Sequence, residues 1–200
     1  YSDSITFTVL PAAGSMAAFM ARDDNGSMYA NFWITVNDYD PANSTVGQAT
    51  NGGYTVRAGE YFDGYYYVVD DLNNFMRIDA DSVDAYTVLG NTEKRVVDLA
   101  FDYTTGTMYG LTLSYKAWNS ETYQQEQTYP ELVKIDLTTG ALTTVCTLDT
   151  AGAFTLAADK DGKLYTAGST STSANAVLYQ IDTATGACTQ LTEVEGAVAY

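Results

Sequence analysis

Aromatic and polar side chains are interspersed in one segment of the chain, residues 114–130. It carries four aromatic residues, Tyr115, Trp118, Tyr123 and Tyr129, among amide and charged side chains. Aromatic faces beside amide and carboxylate groups are suited to stacking on sugar rings or to contacting a protein. The segment therefore predicts a binding surface for a glycan or a surface protein. The alternative is a loop that folds back on its own unit with the aromatic side chains packed inward.

A second group of residues has the chemistry of a calcium site. Calcium binds six to eight hard oxygen ligands, and loops rich in aspartate and asparagine supply them. The candidate ligands are Asp70, Asp71, Asp79, Asp81 and Asp84. Their spacing does not match an EF-hand loop, because the sixth position counted from Asp79 is Asp84 and not glycine. A bound calcium ion is one interpretation, and solvated turns are the other.

The chain contains no histidine. This removes the commonest general base near neutral pH and the usual zinc ligand, and a Ser-His-Asp or Cys-His mechanism cannot be assembled. The sequence also lacks a glycine-rich phosphate loop and a CxxC motif. We therefore expect a protein that is not an enzyme and that has no cofactor apart from the calcium ion considered above.

The charge balance limits the partners. Nine basic and 25 acidic residues give a net charge of -16, and Lys94-Arg95 is the only basic pair. Contact with phosphates needs clustered lysine or arginine, so the sequence predicts no nucleic-acid binding. No apolar run approaches the roughly 18 residues that span a bilayer, so we expect no membrane insertion. The abundance of threonine, asparagine and tyrosine favours an extracellular or cell-surface bacterial protein.

The two cysteines, Cys146 and Cys188, occupy different offsets from equivalent turns. They follow Gly140 by six residues and Gly186 by two. A disulfide needs Cα atoms within about 7 Å, and different offsets predict different heights in neighbouring units. We expect two small buried thiols.

Two short phrases recur at intervals of about 40 to 55 residues, which is typical of repeat architectures. The first places tyrosine three residues after glycine, with acidic residues just before it. Its tyrosines are Tyr29, Tyr67, Tyr109 and Tyr165. The second phrase ends in Ile-Asp, and its aspartates are Asp79, Asp136 and Asp182. We expect the tyrosines to pack one unit against the next, and the aspartates to accept hydrogen bonds from turn backbones.

Alternating apolar residues between Asp-Gly and Thr-Gly turns predict four antiparallel strands per unit. The third unit is the clearest, with predicted strands over 96–102, 107–113, 131–137 and 141–148. The first unit is degenerate: a hairpin over 15–23 and 27–36 is followed by a polar loop over 37–53. The predicted units span residues 4–53, 54–90, 95–149 and 152–193, and a further strand begins in residues 196–200.

Residues 132–140 and 178–186 carry a family resemblance. Both read as a strand that ends in Ile-Asp before a Thr-Gly turn, which resembles the blade motif of bacterial YVTN and quinoprotein-like surface propellers. The resemblance implies an all-β fold, a β-propeller of four-stranded antiparallel blades. The tryptophan docking pattern of quinone-cofactor propellers is missing, because Trp33 and Trp118 lie outside the repeat frame.

Propellers of this kind serve as adhesins, scaffolds, sugar binders and sometimes enzymes. We expect an extracellular binding or adhesion module. The alternatives are a catalytic propeller, such as a polysaccharide lyase or hydrolase, and a purely structural segment of a surface array. Because the chain starts at Tyr1 without methionine, we expect a mature or excised piece whose partners include the remaining domains of a longer parent chain. A piece of a larger propeller is favoured over a closed four-bladed one.

Overall fold

The computed structural model describes residues 56–169 and 175–195, except the side chains of 82–84, and the backbones of three strands between residues 15 and 49. The chain divides into two compact units, Tyr1–Gly53 and Tyr54–Tyr200. The described residues form strands, turns and loops. Within them, no helix is long and apolar enough to cross a membrane.

The described part of the first unit is one antiparallel sheet. Its strands are β1 (Ser15–Met20), β2 (Phe32–Asn37) and β3 (Thr45–Ala49). The predicted opening hairpin is confirmed, since β1 pairs with β2. The prediction of a polar loop throughout residues 37–53 is wrong, because β3 pairs with the other side of β2. The sequence of β3 contains a glycine and is a weak strand signal, so its pairing depends on the open edge of β2. The start of the predicted first unit (residues 4–14), Tyr29 and residues 196–200 lie outside the described residues.

The second unit contains three four-stranded antiparallel sheets in its described residues. Blade A consists of β4 (Val56–Phe62), β5 (Tyr65–Asp70), β6 (Asn74–Asp79) and β7 (Ser82–Asn91). Blade B consists of β8 (Val96–Asp102), β9 (Thr107–Thr112), β12 (Glu131–Ile135) and β13 (Leu142–Thr147). Two further strands, β10 (Lys116–Asn119) and β11 (Gln124–Gln127), form a separate sheet. Blade C consists of β14 (Ala157–Ala158), β15 (Leu164–Ser169), β16 (Ala176–Ile181) and β17 (Cys188–Val194). The fold is all-β, and its four-stranded antiparallel blades are the β-propeller architecture that the repeats predicted.

The repeated tyrosines occupy equivalent places in the three blades. The cross-strand pairs are Tyr67 with Arg77, Tyr109 with Lys134, and Tyr165 with Gln180. Tyr67 belongs to the apolar cluster that blades A and B share, and Tyr109 to the cluster that blades B and C share. The prediction that these two tyrosines pack one blade against the next is therefore confirmed. The third, Tyr165, is half-buried and donates its hydroxyl hydrogen to Asp159 at 2.9 Å.

The aspartates that end the third strands cap the following turns, as predicted. Asp136 accepts hydrogen bonds from the backbone N–H groups of Thr138 at 2.8 Å and Thr139 at 2.9 Å. Asp182 accepts one from Ala184 at 2.9 Å. These hydrogen bonds stabilise the ionised carboxylates and hold the pKa of both groups below its usual value. Each turn is therefore closed by the carboxylate of the aspartate that precedes it.

The two contacts between blades have different compositions. Between blades A and B, Phe62 stacks on Phe101 with ring centroids 3.8 Å apart, and within blade A Phe75 stacks on Tyr67 at 5.8 Å in the cluster that the two blades share. Between blades B and C the buried residues are mostly aliphatic. They include Leu111, Leu132, Leu148, Leu156, Leu164 and Ile181. Both contacts exclude water from large apolar side chains, which is the main contribution to the stability of a stacked array.

The Thr-Gly turns between third and fourth strands provide a second contact between blades. Gly140 and Gly186 have φ of +72° and +80°, so each needs the left-handed conformation that glycine tolerates. They also approach the preceding blade: a Cβ on Gly140 would lie 2.8 Å from Phe75 Cβ, and one on Gly186 would lie 2.0 Å from the Thr147 carbonyl oxygen. Each glycine is therefore required by the turn and by the blade contact.

The first strand of blade C is shorter than the sequence predicted. In the fourth predicted unit, the residue types over 153–159 predict a first strand. Only Ala157–Ala158 forms one, with an isolated bridge between Ala153 and Gly168. In the gap, the Thr155 hydroxyl accepts a hydrogen bond from the Ala167 N–H at 2.9 Å. A side-chain oxygen thus takes the place of a backbone carbonyl and interrupts the ladder.

The two cysteines lie near each other, and the prediction of different heights is wrong. Cys146 is in β13 and Cys188 begins β17, and both pack against the cluster that blades B and C share. A Cβ on Gly186 would lie 3.5 Å from Cys146 Cβ. Twisted sheets tilt their outer strands relative to one another, so the end of one outer strand meets the start of the next.

Candidate functional site

Residues 114–130 form a two-stranded antiparallel ribbon in place of the loop that the sequence suggested. Its strands β10 and β11 pair with Trp118 opposite Gln125. At the tip, the Asn119 side-chain oxygen accepts hydrogen bonds from the N–H groups of Glu121 at 2.8 Å and Thr122 at 3.2 Å. Tyr123 then takes a left-handed backbone, with φ of 54°. The ribbon closes its own turn without help from the blades.

Polar side chains brace the ribbon where it leaves blade B. The Ser114 hydroxyl donates to the Thr128 carbonyl oxygen at 2.7 Å and accepts from Gln127 Nε2 at 2.7 Å. The Thr128 hydroxyl oxygen accepts from the Tyr115 N–H at 2.8 Å, and the Thr128 N–H donates to the Tyr115 carbonyl oxygen at 2.8 Å. These hydrogen bonds join the two ends of the ribbon to each other at its base.

The four aromatic side chains of this segment are exposed to solvent. The exposed fractions are 58% for Tyr115, 63% for Trp118, 76% for Tyr123 and 47% for Tyr129. The alternative in which these rings pack inward is therefore wrong. Residues of the ribbon strands are exposed or half-buried on both faces, so the ribbon does not cover a core. Exposed aromatic groups on a rigid support are the usual anchors of ligand and partner contacts.

A cleft of about 620 Å³ lies at the base of the ribbon, and we call it the neck cleft. Blade A contributes one lining residue, and the linker between blades A and B (residues 92–95) contributes three. Blade B and the base of the ribbon contribute the rest. The lining residues are Asn73, Glu93, Lys94, Arg95, Thr112, Leu113, Tyr115, Thr128, Tyr129 and Glu131. A shallower hollow of about 430 Å³ surrounds Trp118 on the ribbon itself. Two of the four predicted aromatic residues thus line the neck cleft, and a third lies beside the smaller hollow.

Charged groups lie on the wall of the neck cleft. Lys94 forms an ion pair with Glu131. Arg95 is exposed, and its guanidinium has no hydrogen-bond or ion-pair partner among residues 56–169 and 175–195. Its backbone carbonyl oxygen accepts from the Leu113 N–H at 2.9 Å, which fixes the position of the linker. The free guanidinium can donate hydrogen bonds to hydroxyl or carboxylate oxygens of a ligand.

Two interlocked turns form the rim of the neck cleft on the side of blade A. In the first, Asp70 is buried and its carboxylate accepts hydrogen bonds from the N–H groups of Leu72 at 2.9 Å and Asn74 at 2.7 Å. In the second, the buried Thr92 donates its N–H to the Asn73 carbonyl oxygen at 2.8 Å. Its hydroxyl donates to the Lys94 carbonyl oxygen at 2.8 Å.

The aspartates considered for calcium do not converge. Asp70 ends β5 and Asp79 ends β6, and the antiparallel register pairs Asp79 with Tyr65 at the opposite end of β5. Asp70 and Asp71 therefore lie at one end of blade A, and Asp79 and Asp81 at the other. Asp84 lies in β7, outside the described side chains.

The oxygens of two candidates already have donors. Asp70 accepts the hydrogen bonds named above, and Asp79 accepts one from the Asp81 N–H at 2.9 Å. Within the described residues, no three acidic or cysteine side chains are arranged to hold a metal ion. Calcium binding stays a prediction from the sequence.

Two half-buried carboxyls lie on the first strands of blades A and B. Asp98 accepts hydrogen bonds from the N–H of Leu156 at 2.6 Å and of Leu99 at 2.9 Å. Burial raises the pKa of Asp98, and burial together with the nearby charge of Asp98 raises the pKa of Glu60. Glu60 accepts backbone hydrogen bonds from Tyr61 and Phe101. Both carboxyls accept hydrogen bonds from backbone N–H groups. Two of these donors, Phe101 and Leu156, belong to the next blade along the chain.

Some residues of the site were not identified from the sequence alone. The pair Lys94-Arg95 was used only to argue against nucleic-acid binding, yet it lines the neck cleft. Its isolation in a strongly acidic chain is the signal that could have identified it. Asn73 and Glu131 carry no such signal, since they reach the cleft only through the stacking of blades A and B.

No protein-family model matches this chain, and no curated protein matches it. Solved structures do match. Hydrazine synthase from Kuenenia stuttgartiensis has a TM-score of 0.53 and 14% identity, over 84% of this chain and 43% of that chain. A protein of unknown function from Bacteroides thetaiotaomicron has a TM-score of 0.47 and 14% identity, over 80% and 44%. An oligogalacturonate lyase in complex with manganese has a TM-score of 0.40 and 14% identity, over 82% and 59%.

The likeness to hydrazine synthase agrees with the all-β blades described above. At 14% identity the likeness to hydrazine synthase concerns the fold alone. This chain spans 43% to 59% of the lengths of the three structures.

Proposed function

We propose that this chain is a non-enzymatic carbohydrate-binding module of a bacterial extracellular or cell-surface protein, and that the ribbon and the neck cleft hold the glycan. The observation that carries the proposal is the group of four exposed aromatic side chains on a ribbon whose base is braced by hydrogen bonds. Tyr115 and Tyr129 provide rings for sugar faces, while Arg95 and Asn73 provide donors for hydroxyl or carboxylate oxygens.

The size of the neck cleft favours a glycan over a folded protein as the ligand. Its volume of about 620 Å³ lies within the range of sites that enclose small ligands. A stable protein partner needs about 800 Å² of buried surface on each side, for which a narrow ribbon is a small platform. The exposed ring of Trp118 extends the surface so that a chain of several sugars can contact both regions.

The repeat motif of the blades supports the proposal of a surface-binding protein. Residues 132–140 and 178–186 resemble the blade motif of YVTN and quinoprotein-like surface propellers, and we assign the chain to proteins of that kind. Because the matched structures are longer, we propose that the remaining domains of a parent chain are its covalent partners. The module then supplies adhesion through its glycan ligand.

The test is a glycan array probed with the wild-type chain and with Tyr115→Ala, Tyr129→Ala and Trp118→Ala. Loss of one aromatic contact is worth about 0.5–1.5 kcal/mol, so affinity for a retained glycan falls by up to about tenfold in each variant. The matched control is Tyr86→Ala, which removes an exposed tyrosine from β7.

Two outcomes would overturn the proposal. If no glycan binds the wild-type chain, the module is not a carbohydrate binder. If the ribbon variants bind as well as Tyr86→Ala does, the site lies elsewhere. The bound glycans are also recovered and weighed by mass spectrometry, and cleavage of any of them would favour the catalytic alternative.

A further inference from the structure

The backbone around the two cysteines is fixed on both sides of the contact between blades B and C. Asp149 follows β13, and its N–H donates to the Gly186 carbonyl oxygen at 3.1 Å. Its carboxylate accepts a hydrogen bond from the Cys188 N–H at 2.9 Å. Asp149, which comes three residues after Cys146, therefore holds the turn of blade C at two points.

The two cysteines lie in the same small region, against one apolar cluster. Cys188 Sγ lies 3.8 Å from the Gly186 carbonyl oxygen, and the Gly186 backbone is the part of blade C that approaches Cys146 Cβ. The two sulfurs are close enough for the charge of Cys146 to affect the pKa of Cys188. Both side chains are half-buried, so small reagents can reach them.

We propose that Cys146 and Cys188 are a disulfide-forming pair that joins the outer strands of blades B and C when a small disulfide oxidant, such as glutathione disulfide, is present. No other cysteine occurs in the chain, so the pairing within one molecule is unique.

The reaction is two successive thiol–disulfide exchanges. The Cys146 thiolate attacks glutathione disulfide, which forms a mixed disulfide and releases one glutathione thiolate. The Cys188 thiolate then attacks the Cys146 sulfur, which forms the Cys146–Cys188 bond and releases the second glutathione. The two protein thiols lose two electrons to the oxidant, and their two protons end on the two glutathione thiols.

The environment makes this reaction slow at neutral pH. Burial, followed by the charge of Asp149, raises the pKa of Cys188 to about 12, and burial raises the pKa of Cys146. Since the thiolate is the attacking species, the rate of bond formation rises by up to about tenfold for each pH unit in the alkaline range.

The experiment incubates the native full chain with glutathione disulfide at alkaline pH, then denatures it and alkylates the remaining thiols. We expect a monomer that takes up no alkyl group, has lost two hydrogens in mass, and yields one peptide pair joined through Cys146 and Cys188. We also expect its Tm to exceed that of the reduced chain by about 5–10 °C, since the bond closes a long loop.

The control variants are Cys146→Ser and Cys188→Ser, each of which retains one thiol that ends alkylated or glutathionylated. The proposal is overturned if the native wild-type chain also forms no internal bond, so that both of its cysteines end alkylated or glutathionylated. It is also overturned if the bond forms only between molecules or only in denaturant.

Discussion

The blades and the ribbon use the same kinds of residue in opposite ways. In the blades, Phe101 and Phe62 stack at 3.8 Å between two sheets, and Phe101 is buried. In the ribbon, Trp118 and Tyr123 are more than half exposed. A buried aromatic residue such as Phe101 is therefore explained by the neighbouring blade. An aromatic residue in the ribbon is not explained by the fold, and this difference directs attention to a ligand.

The two regions also differ in how they keep their shape. A blade buries its apolar faces against its neighbours, so its stability depends on the array. The ribbon is held by polar contacts at its base, such as those between Ser114 and Thr128, and by the Asn119 side chain at its tip. Substitutions in the blades should therefore affect folding, and substitutions in the ribbon should affect binding.

The largest effect is expected from Phe101→Ala. This substitution removes the stack with Phe62 and the edge contact with Tyr103 and leaves a cavity between blades A and B. Truncation of a buried phenylalanine costs about 3–5 kcal/mol of the free energy of unfolding. Chemical denaturation followed by fluorescence measures the loss. A loss below about 1 kcal/mol would mean that the stack does not hold the two blades together.

A smaller effect is expected from Gly186→Ala, and Gly106→Ala is its matched control. Both glycines have positive φ, +80° and +67°, so both substitutions incur the left-handed penalty of about 1–2 kcal/mol. Only Gly186 faces the neighbouring blade, with the Thr147 oxygen 2.0 Å from the new Cβ, whereas a Cβ on Gly106 meets nothing within 4 Å. We expect Gly186→Ala to lower the free energy of unfolding by about 1–3 kcal/mol more than the control. Equal losses in the free energy of unfolding would show that each Thr-Gly turn stabilises only the blade in which it lies.

The capped turns of the blades should make stability depend on pH in the acid range. The N–H groups of Thr138 and Ala184 lower the pKa of Asp136 and Asp182 in the folded chain. The unfolded carboxyls therefore bind protons at higher pH than the folded ones, so this stabilisation is present above about pH 4 and is lost as the pH falls through the lowered folded pKa. The double variant Asp136→Asn/Asp182→Asn keeps an oxygen acceptor in each turn and should lose less Tm on acidification than the wild type. An unchanged pH profile would assign the acid sensitivity to other groups.

The smallest effect on stability is expected in the ribbon. Trp118→Ala removes a mostly exposed side chain that covers no core, so the free energy of unfolding should stay within about 0.5 kcal/mol of the wild-type value. The same denaturation experiment measures it, with Phe101→Ala as the contrasting case. A clear loss of stability from Trp118→Ala would mean that the ribbon packs on the blades after all, and it would remove the main reason to treat it as a binding surface.

The sequence predicts most of the strands in the blades, because their signals are local. In blade B the predicted first strand coincides with β8, and the other three differ from the structure by one or two residues. Strand β3 was missed because it has a weak local signal and depends on the edge of β2. The break before β14 was missed because the Thr155 hydroxyl replaces a backbone acceptor, which alternation of residue types does not reveal.

The candidate site is predictable only in part. The aromatic segment and its length were visible in the sequence, whereas its hairpin register and the neck cleft were not. The cleft joins Asn73, Lys94 and Glu131, which are far apart in the chain and meet only when two blades stack. The proximity of Cys146 and Cys188 was missed for the same reason, since it follows from the tilt of two outer strands.

The hydrogen bonds of Thr92 have a consequence for ligand affinity. They join a turn of blade A to the linker that carries Lys94 and Arg95, so the rim of the neck cleft exists before anything binds. A ligand then loses little free energy to the ordering of loops, and contacts with a few groups suffice for measurable affinity. In the function proposed above, preorganisation of this kind would help the neck cleft to discriminate between sugars.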